Sequence, residues 1–326
     1  MLSIAAAAFC GGATEEAEET AGSEFSDTIV IGDSGDIKGI DPNGNNGSSE
    51  GRTLDLIYEG LVRVSDDGQS VVPHLATKIE VSDDHLFYTV HLKPNVKFSD
   101  GTPVTTEDWI WSLYRARDTK ESNVHSFAEP IKEITAPDEN TLIIEIDRPI
   151  APFISYLGQY NMVVQSKANF EKYGPEEYPF HPLGTGPYML KEWVKEDYRI
   201  MTRNPYYHGE PRPTENLRFV FITDDNTRLL QLQGGQIDIM GSVPVQMVPQ
   251  IKNANGLKID SFPSSRSIYM VMCVDNPPFD DIKVRQAVMH LVQKDTIIYL
   301  IAKGYARNLS SFIGANYGAF HNPNIK

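Results

Sequence analysis

The chain has 326 residues, of which 40% are hydrophobic, so it can bury a core large enough for two compact lobes or one large α/β domain. Its 44 acidic residues outnumber its 29 basic residues and give a formal net charge of −15. We therefore expect no nucleic-acid partner, because phosphates attract a basic protein face.

The first residues resemble a lipoprotein-type signal peptide. An apolar run at 2–9 is followed by Cys10 and two glycines, so cleavage before Cys10 would leave that residue as the lipid attachment site. No Lys or Arg precedes the run, and Phe9 stands where a small residue is usual. The alternative is an apolar chain start with a buried cysteine. Residues 13–24, rich in Ala, Glu, Thr and Gly, predict an acidic, solvated tether.

The first ordered elements are expected from residue 28 onward. The β-branched run at 28–31 predicts a strand, and the Gly, Asn, Asp and Ser residues of 32–51 predict a loop. That loop does not fit a calcium-binding EF-hand, because Asn46 and Arg52 occupy the Gly and Glu positions of the pattern. Apolar residues at helical spacing then predict a helix over 54–61.

The middle of the chain predicts strands at 87–92 and 141–146, the second with one buried face because its apolar residues alternate. Between them, Thr105 and Asp108 are spaced as a capping box that begins an aromatic helix. Trp109 and Trp111 on this helix are interpreted as core residues.

The second half of the chain mixes strands and helices in the same way. We expect strands at 217–222 and 237–240 and a buried strand at 269–274, in which Cys273 is a small buried residue. A helix capped by Asn226 or Thr227 runs to residue 232, and an amphipathic helix covers 284–292. Asp295 is expected to cap a further helix that ends before Gly304. The predicted fold class is therefore α/β, or mixed α+β, with a mixed sheet.

Motifs for catalysis or cofactor binding are lacking in the sequence. The eight histidines show no zinc-binding spacing, and there is no Cys-x-x-Cys, Gly-x-Ser-x-Gly or phosphate-binding loop. The Gly184-Thr185-Gly186 run is followed by Pro187 and does not continue as a dinucleotide fingerprint. We expect no catalytic residue, metal or cofactor, which favours binding over catalysis.

Nine sequence blocks, in order, resemble extracellular solute-binding family 5, the oligopeptide-, dipeptide- and nickel-binding proteins of ABC importers. The most diagnostic block is Val-Lys-Phe-Ser-Asp-Gly-Thr-Pro-Val-Thr at 96–105. The remaining blocks lie at 40–42, 57–62, 72–76, 88–93, 182–188, 203–207, 232–238 and 277–287.

The resemblance implies a two-lobed periplasmic-binding-protein type II fold with an extra domain in lobe one. In this family the second lobe continues well past the position of residue 326, so the resemblance implies a C-terminally truncated member, which we expect to bind ligand weakly or not at all and to aggregate. The implied parts are the signal and tether at 1–26, lobe one at 27–53 and 165–272, the extra domain at 54–164, and the start of lobe two at 273–326.

The resemblance also implies the function. The protein would capture oligopeptides or dipeptides outside the cytoplasmic membrane, held there by its lipid anchor, and deliver them to an ABC permease and ATPase complex. We expect a monomer when complete, and no enzyme. The alternatives are the same role for a nickel chelate, haem or an oligosaccharide, or a secreted hydrolase.

Ligand-binding residues are assigned from the same resemblance. Family members present extended backbone to the peptide at the position of the loop from Asn46 to Glu50, and Gly47 would allow close approach of ligand and backbone. Further family contacts fall near His125 and Phe127 and at Tyr269 on a hinge strand. The implied ligand-binding residues are Asn46, Gly47, Ser48, Glu50, His125, Phe127 and Tyr269.

Overall fold

The computed structural model describes residues 27–44, 47–66, 68, 70–262, 267–309, 313 and 322. The predicted signal and tether, Cys10 and Asn46 lie outside the described residues. Within them, no helix has the length and apolar character needed to cross a membrane.

Strands and helices alternate irregularly along the chain, which confirms the predicted mixed α/β class. The strands are β1 (Thr28–Asp33), β2 (Val62–Val64), β3 (Val71–Pro73), β4 (Ala76–Val81), β5 (Phe87–Leu92), β6 (Ile131–Asp138), β7 (Thr141–Ile146), β8 (Tyr188–Val194), β9 (Tyr198–Arg203), β10 (Asn216–Phe221) and β11 (Ile239–Met240). The helices are α1 (Ser48–Ile57), α2 (Thr106–Asp118), α3 (His125–Ala128), α4 (Phe153–Leu157), α5 (Lys167–Glu177), α6 (Asp225–Gln233), α7 (Val248–Lys252), α8 (Ile282–Leu291) and α9 (Lys294–Leu300).

The main sheet has the strand order β11-β1-β10-β9-β8. β1 is parallel to both of its neighbours, whereas β9 is antiparallel to β10 and to β8. The three parallel strands therefore end at the same edge of the sheet, and the loop after β1 leaves the sheet from that edge.

A second, antiparallel sheet has the order β4-β5-β7-β6 and is covered by α2. Along β7 the apolar residues alternate between buried and half-buried positions, as predicted. At the start of α2 the Thr105 hydroxyl accepts from the Asp108 backbone N–H, and Asp108 Oδ2 accepts from the Thr105 backbone N–H, so the predicted capping box is confirmed. Trp109 is 2% exposed in the core of this unit, and Trp111 is half-buried against Phe170.

Several predicted element bounds were wrong. Helix α1 begins at Ser48, inside the predicted loop, and ends at Ile57. The Gly184-Thr185-Gly186 turn crosses its last residues, and the Gly186 N–H donates to the Ile57 carbonyl. A Cβ at Gly186 would lie 2.6 Å from the Leu56 carbonyl oxygen, so this glycine is required by close packing rather than by a nucleotide.

The helix caps in the second half also differ from the prediction. Asp224, with extended backbone, caps α6, and its Oδ1 accepts from the Thr227 backbone N–H at 2.8 Å. Asn226 and Thr227 already belong to the helix. Helix α9 starts from Gln293, so Asp295 lies in the first turn, where a negative charge still favours the helix dipole.

The predicted buried strand at 269–274 is wrong. These residues form neither strand nor helix, and Val271 is 78% exposed. Cys273 is exposed as well, so its interpretation as a buried residue is also wrong. An apolar run becomes a buried strand only when a neighbouring strand edge accepts its backbone hydrogen bonds, and no described strand pairs with this segment.

The predicted amphipathic helix forms as α8, but its apolar side is not covered. Val284 and Val288 are half-buried, Leu291 is exposed, and neither α8 nor α9 has a fully buried residue. The sequence therefore predicted the helix, but it did not predict whether the apolar side of the helix would be covered.

Arg115 of α2 joins the second sheet to the loop that follows β1. Its Nη1 and Nη2 donate to the two carboxylate oxygens of Asp41 at 2.7 and 2.8 Å, and Nη1 also donates to Gln165 Oε1 at 2.6 Å. The guanidinium packs over the ring of Phe170. Burial lowers the pKa of Arg115, but hydrogen bonding to Asp41 outweighs this effect, so the net pKa is raised and the guanidinium stays charged.

A second buried cluster surrounds Glu59, just beyond α1. His208 Nε2 and His74 Nε2 lie 2.9 and 2.8 Å from its carboxylate, and Lys93 Nζ lies 3.0 Å from His208 Nδ1. Burial alone raises the pKa of Glu59, but the hydrogen bonds from His208 and His74 outweigh it and lower the pKa to about 2. The cluster connects the turn after β9 to the residues that follow α1, β3 and β5.

We predict that Arg115→Ala lowers the free energy of unfolding by about 3 kcal/mol, because it leaves the half-buried carboxylate of Asp41 without its cation. Urea denaturation followed by circular dichroism measures the change. The matched control is Arg148→Ala, since Arg148 also pairs with two carboxylates but is exposed. This control should leave stability almost unchanged. Equal losses in both variants would contradict the central role of Arg115.

We predict that the Glu59 cluster stabilises the fold above pH 4.5 and that this contribution is lost as the pH falls towards 2. The sign follows from the pKa of Glu59, which is about 2 in the fold and 4.5 without it, so protons bind the unfolded chain more readily. Relative to Glu59→Gln, the wild type should lose about 3 kcal/mol of unfolding free energy between pH 5 and pH 2. Urea titrations at half-unit pH steps measure this loss. If the unfolding free energies of the two proteins changed with pH in parallel, the role assigned to Glu59 would be contradicted.

Candidate ligand-binding site

The candidate site lies at the edge of the main sheet where its parallel strands end. In open sheets with parallel strands, ligands bind outside the carboxyl ends of the strands. Here β1 ends at Asp33, between the ends of β10 and β11, and the following loop leads to the start of α1. This edge therefore brings the sheet, the loop and the first turn of a helix to one place.

Asp33 is the charged centre of this edge. It is 1% exposed, and its two carboxylate oxygens accept from Nη2 of Arg52 at 2.9 and 2.8 Å. Arg52 lies one turn into α1 and also donates to the Ser49 hydroxyl at 3.3 Å. The pair anchors the first turn of α1 to the end of β1, and nearly half of the Arg52 side chain remains open to solvent.

Glu50 holds the loop against the start of α1. One carboxylate oxygen accepts from the backbone N–H of Gly47 at 3.1 Å and the other from the backbone N–H of Lys38 at 3.4 Å. The negative charge also lies in the first turn of the helix, where the helix dipole favours it. Glu50 therefore holds the segment around Lys38 and the residue Gly47 together, and Gly47 belongs to the loop that the sequence assigned to the ligand.

Tyr160 connects α1 to the segment before α3. Its ring lies beside Gly51, where a Cβ would come within 3.4 Å of it, and its hydroxyl shares a hydrogen bond with Asn123. Asn161 Nδ2 donates to Asn123 Oδ1 at 3.2 Å, so the same asparagine is held from two sides. Burial raises the pKa of Tyr160, the hydrogen bond with Asn123 opposes this, and the negative charge of Glu50 adds to it.

His125 and Phe127 lie on the short helix α3, two and four residues beyond Asn123. Both are half-buried. His125 Nδ1 contacts the Arg117 carbonyl oxygen, which leaves Nε2 for another partner, and Phe127 packs edge-on against Tyr156 with ring centroids 5.4 Å apart. The structure thus connects Glu50 and Gly51, through Tyr160 and Asn123, to the segment that carries His125 and Phe127.

The remaining residues assigned from sequence lie elsewhere or outside the described part. Ser48 is the first residue of α1, and Asn46 is outside the described residues. Tyr269 lies in the irregular segment 267–270 and is 61% exposed, so it is not on a hinge strand there.

Sequence reasoning missed Asp33, Arg52, Tyr160 and Asn123. Asp33 carried a signal, since a carboxylate directly after a buried strand lies at a strand's carboxyl end. The other three are scattered along the chain and are brought together only by the packing of α1 against the segments around residues 123 and 160.

Beneath the loop lies a buried arginine with incomplete hydrogen bonding. Arg199 of β9 is 0% exposed, packs over the rings of Phe219 and Phe221, and reaches Asp36 Oδ1 at 3.5 Å. Its Nε and Nη2 have no hydrogen-bond partner among the described residues. Burial lowers the pKa of Arg199 to about 10, although Asp33 and Asp36 oppose this effect. Arg199 therefore supplies positive charge below the loop, beside Asp36.

The carboxylates of the candidate site already have partners within the protein. Asp33 is paired with Arg52, and both oxygens of Glu50 are engaged by backbone N–H groups. Across the described residues, no group of three or more His, Cys, Asp or Glu side chains could hold a metal ion. What faces a ligand is therefore backbone at the loop, the open half of Arg52 and the polar edge of Tyr160, a set that suits hydrogen bonding to an extended polar molecule.

The comparison with a family model covers most of the chain. Residues 70–326 match the model described as bacterial extracellular solute-binding proteins, family 5 Middle. Among curated proteins, a probable D,D-dipeptide-binding periplasmic protein of Escherichia coli K12 is 29% identical over 80% of this chain and 52% of its own length. A glutathione-binding protein of Pectobacterium atrosepticum is 30% identical over 82% of this chain and 52% of its own length. The chain thus spans about half the length of these relatives.

Solved structures agree with the family match. The periplasmic binding protein DppA of Helicobacter pylori, in complex with the peptide STSA, superposes with a TM-score of 0.82 at 26% identity, over 92% of this chain and 62% of that one. NikZ of Campylobacter jejuni, in complex with Ni(L-His), gives a TM-score of 0.77 at 25% identity, over 86% of this chain and 56% of that one. These likenesses confirm the two-lobed periplasmic-binding-protein type II fold class. The chain belongs to the bacterial extracellular solute-binding proteins of family 5.

Proposed function

We propose that the protein is the substrate-binding component of an ABC importer, which captures short peptides outside the cytoplasmic membrane and delivers them to a permease and ATPase complex. Family membership supports a binding role rather than catalysis. The relatives named for D,D-dipeptide and glutathione, and the solved relative with a bound tetrapeptide, support a peptide-like ligand.

The observation that carries the peptide proposal is the loop closed by Glu50 at the carboxyl end of β1. A peptide is bound largely through its backbone, so a site that offers fixed backbone groups can accept many sequences. In the proposal, the ligand lies along Gly47 and Ser48, with Asn46 before them, and Tyr160, His125 and Phe127 form the side of the site. Water fills the space around variable side chains.

The proposed division of the chain follows the two sheets. Residues 27–53 and 165–272 form lobe one around the main sheet, residues 54–164 form its extra domain around the antiparallel sheet, and residues from 273 onward begin lobe two. Tyr269, close to that last boundary, would contact ligand as the lobes approach each other. Ligand binding then favours closure because only the closed form contacts the ligand from both lobes.

The proposal includes a location outside the cytoplasmic membrane, with Cys10 as the lipid attachment site and a monomeric complete protein. The apolar run before Cys10 and the acidic segment after it support the anchor. Labelling with a radioactive fatty acid in cells, followed by comparison with Cys10→Ser, tests it.

Nickel chelated by histidine is the second candidate ligand, because one similar solved protein holds Ni(L-His). A chelate brings its own ligands to the metal, so it requires only polar contacts from the protein. Calorimetry separates the two candidates, since each ligand is available in pure form.

We predict that a mixture of tetrapeptides releases heat on titration into the protein, whereas nickel–histidine, haem and cello-oligosaccharides do not. Glu50→Ala removes two hydrogen bonds that shape the loop and should weaken peptide affinity by about tenfold. The matched control is Glu176→Ala on the exposed side of α5, which should leave affinity unchanged.

Heat only with sugars, haem or nickel–histidine would overturn the peptide proposal. Mass spectrometry of the peptide after long incubation tests the hydrolase alternative. Peptide recovered intact supports binding, and cleavage at catalytic protein concentrations would show an enzyme.

A further inference from the structure

A second concave surface lies on the main sheet, apart from the candidate ligand-binding site. It is a groove of about 560 Å³ between α5, the turn at Tyr178–Phe180 with the residues that follow it, and the edge strand β8. None of its lining residues is among those assigned to the peptide. It therefore calls for an explanation of its own.

The local sequence explains why side chains gather in this groove. Asn169, Lys172 and Tyr173 are spaced i, i+3 and i+4, so they share one side of α5. Asn169 Nδ2 donates to the His181 carbonyl oxygen at 2.8 Å and fixes the turn against the helix. On the other side, the pairing of β8 with β9 is irregular between Leu190 and Glu192. Such an irregularity redirects side chains, and consecutive residues of β8 accordingly line the groove.

Aromatic rings form the floor of the groove. The rings of Tyr173 and His181 are stacked with centroids 3.9 Å apart and planes at 10°. Phe180 and Trp193 lie against each other with centroids 5.6 Å apart, and the Trp193 indole N–H donates to Asp36 at 2.9 Å. The rings are therefore held in place before any ligand arrives, which reduces the entropy lost on binding.

The charges around the rings are unbalanced. Lys172, Lys191 and Lys195 line the groove and are exposed, and none of them pairs with a carboxylate among the described residues. Two acidic residues also line the groove, but both are engaged. Glu192 accepts from the Tyr198 hydroxyl at 2.8 Å, and Asp100 accepts from the backbone and hydroxyl of Thr102. The lining therefore holds three lysines outside any ion pair against two carboxylates, which leaves a small local excess of positive charge in a chain with a net charge of −15.

Lysines on an edge strand also discourage unwanted pairing with other strands. That role accounts for Lys191 on β8, but not for Lys172 on a helix or for the fixed, stacked rings beside it. The Lys172 ammonium lies 4.7 Å from the centroid of the Tyr173 ring, so a positive charge lies directly beside one of the fixed rings.

We propose that this groove is a second binding site, for a small anion that carries a flat apolar group, such as an aromatic carboxylate. The apolar group would lie on the rings of Tyr173, His181 and Trp193, and the carboxylate would face the three lysines. A site that combines an apolar surface with a few converging charged groups is typical of small-molecule recognition. The proposal is independent of which ligand the other site takes.

The test compares N-acetyl-L-phenylalaninate with the matched amide, which has the same ring but no charge. Each compound is titrated into the isotope-labelled protein, and the indole N–H resonance of Trp193 is followed by NMR; Trp193→Phe assigns that resonance. We expect a saturable shift with the acid and at least fivefold weaker binding of the amide. The triple variant Lys172→Gln, Lys191→Gln, Lys195→Gln should also bind the acid about fivefold more weakly than the wild type. Each exposed charge contributes only modestly, so all three are removed together.

Phe127→Ala serves as the control, because it alters the proposed peptide site away from the loop that carries Asp36 and should leave the acid's effect on Trp193 unchanged. The triple variant should in turn keep its peptide affinity, so the two proposals fail separately. Equal binding of acid and amide, unchanged binding by the triple variant, or no saturable shift at Trp193 would each overturn the proposal.

Discussion

The half-buried ion pair between Arg115 and Asp41 is the contact on which the arrangement of the two sheets depends. Asp41 belongs to the loop after β1, and Arg115 belongs to the helix that covers the antiparallel sheet. Gln165 extends the contact, because its Oε1 accepts from Arg115 and its Nε2 donates to Asn43 at 2.7 Å. A buried charge without a partner costs several kcal/mol, so this geometry is strongly specified. The loop that leads to the candidate site is therefore fixed at its middle by the second sheet and at its end by Glu50.

The same loop is supported from below by charges that are only partly matched. Asp36 accepts from the Trp193 indole and the Glu196 backbone, and Arg199 approaches it at 3.5 Å. Burying a guanidinium with unfilled donors is costly unless neighbouring charges offset it. Phe219 and Phe221 offset part of the cost through their ring faces, and Asp33 does so through its charge. Through Asp36, the loop of the candidate ligand-binding site and the floor of the groove share one anchoring residue.

Secondary-structure elements were predictable where the sequence pattern that specifies them lies within a few residues. The Thr105 capping box, the alternation along β7 and the helical period of α8 are patterns of this kind, and each was confirmed.

The prediction failed where contacts between residues far apart in the sequence determine the structure. Helix α1 extends back to Ser48 because Arg52 pairs with the Asp33 carboxylate and Glu50 accepts a hydrogen bond from the Lys38 backbone. No periodic pattern in the sequence indicates these contacts. The apolar run at 269–274 has strand composition, but a strand also requires a neighbour. Tyr160 and Asn123 contribute to the site only through packing. The family resemblance pointed to the loop from Asn46 to Glu50, not to its supports.

Acidic residues are so common in this chain that their presence at a surface says little about function. At the candidate site, Asp33 and Glu50 are satisfied by Arg52 and by backbone N–H groups, so they shape the site rather than attract a cation. Cations are scarcer, and the described ones that remain unpaired are correspondingly more informative. Three of them lie beside fixed aromatic rings in the groove next to β8, where they outnumber the two carboxylates of the lining. Positive charge outside ion pairs therefore distinguishes the groove beside β8 from the candidate ligand-binding site, where Arg52 is paired with Asp33 and the loop offers backbone groups.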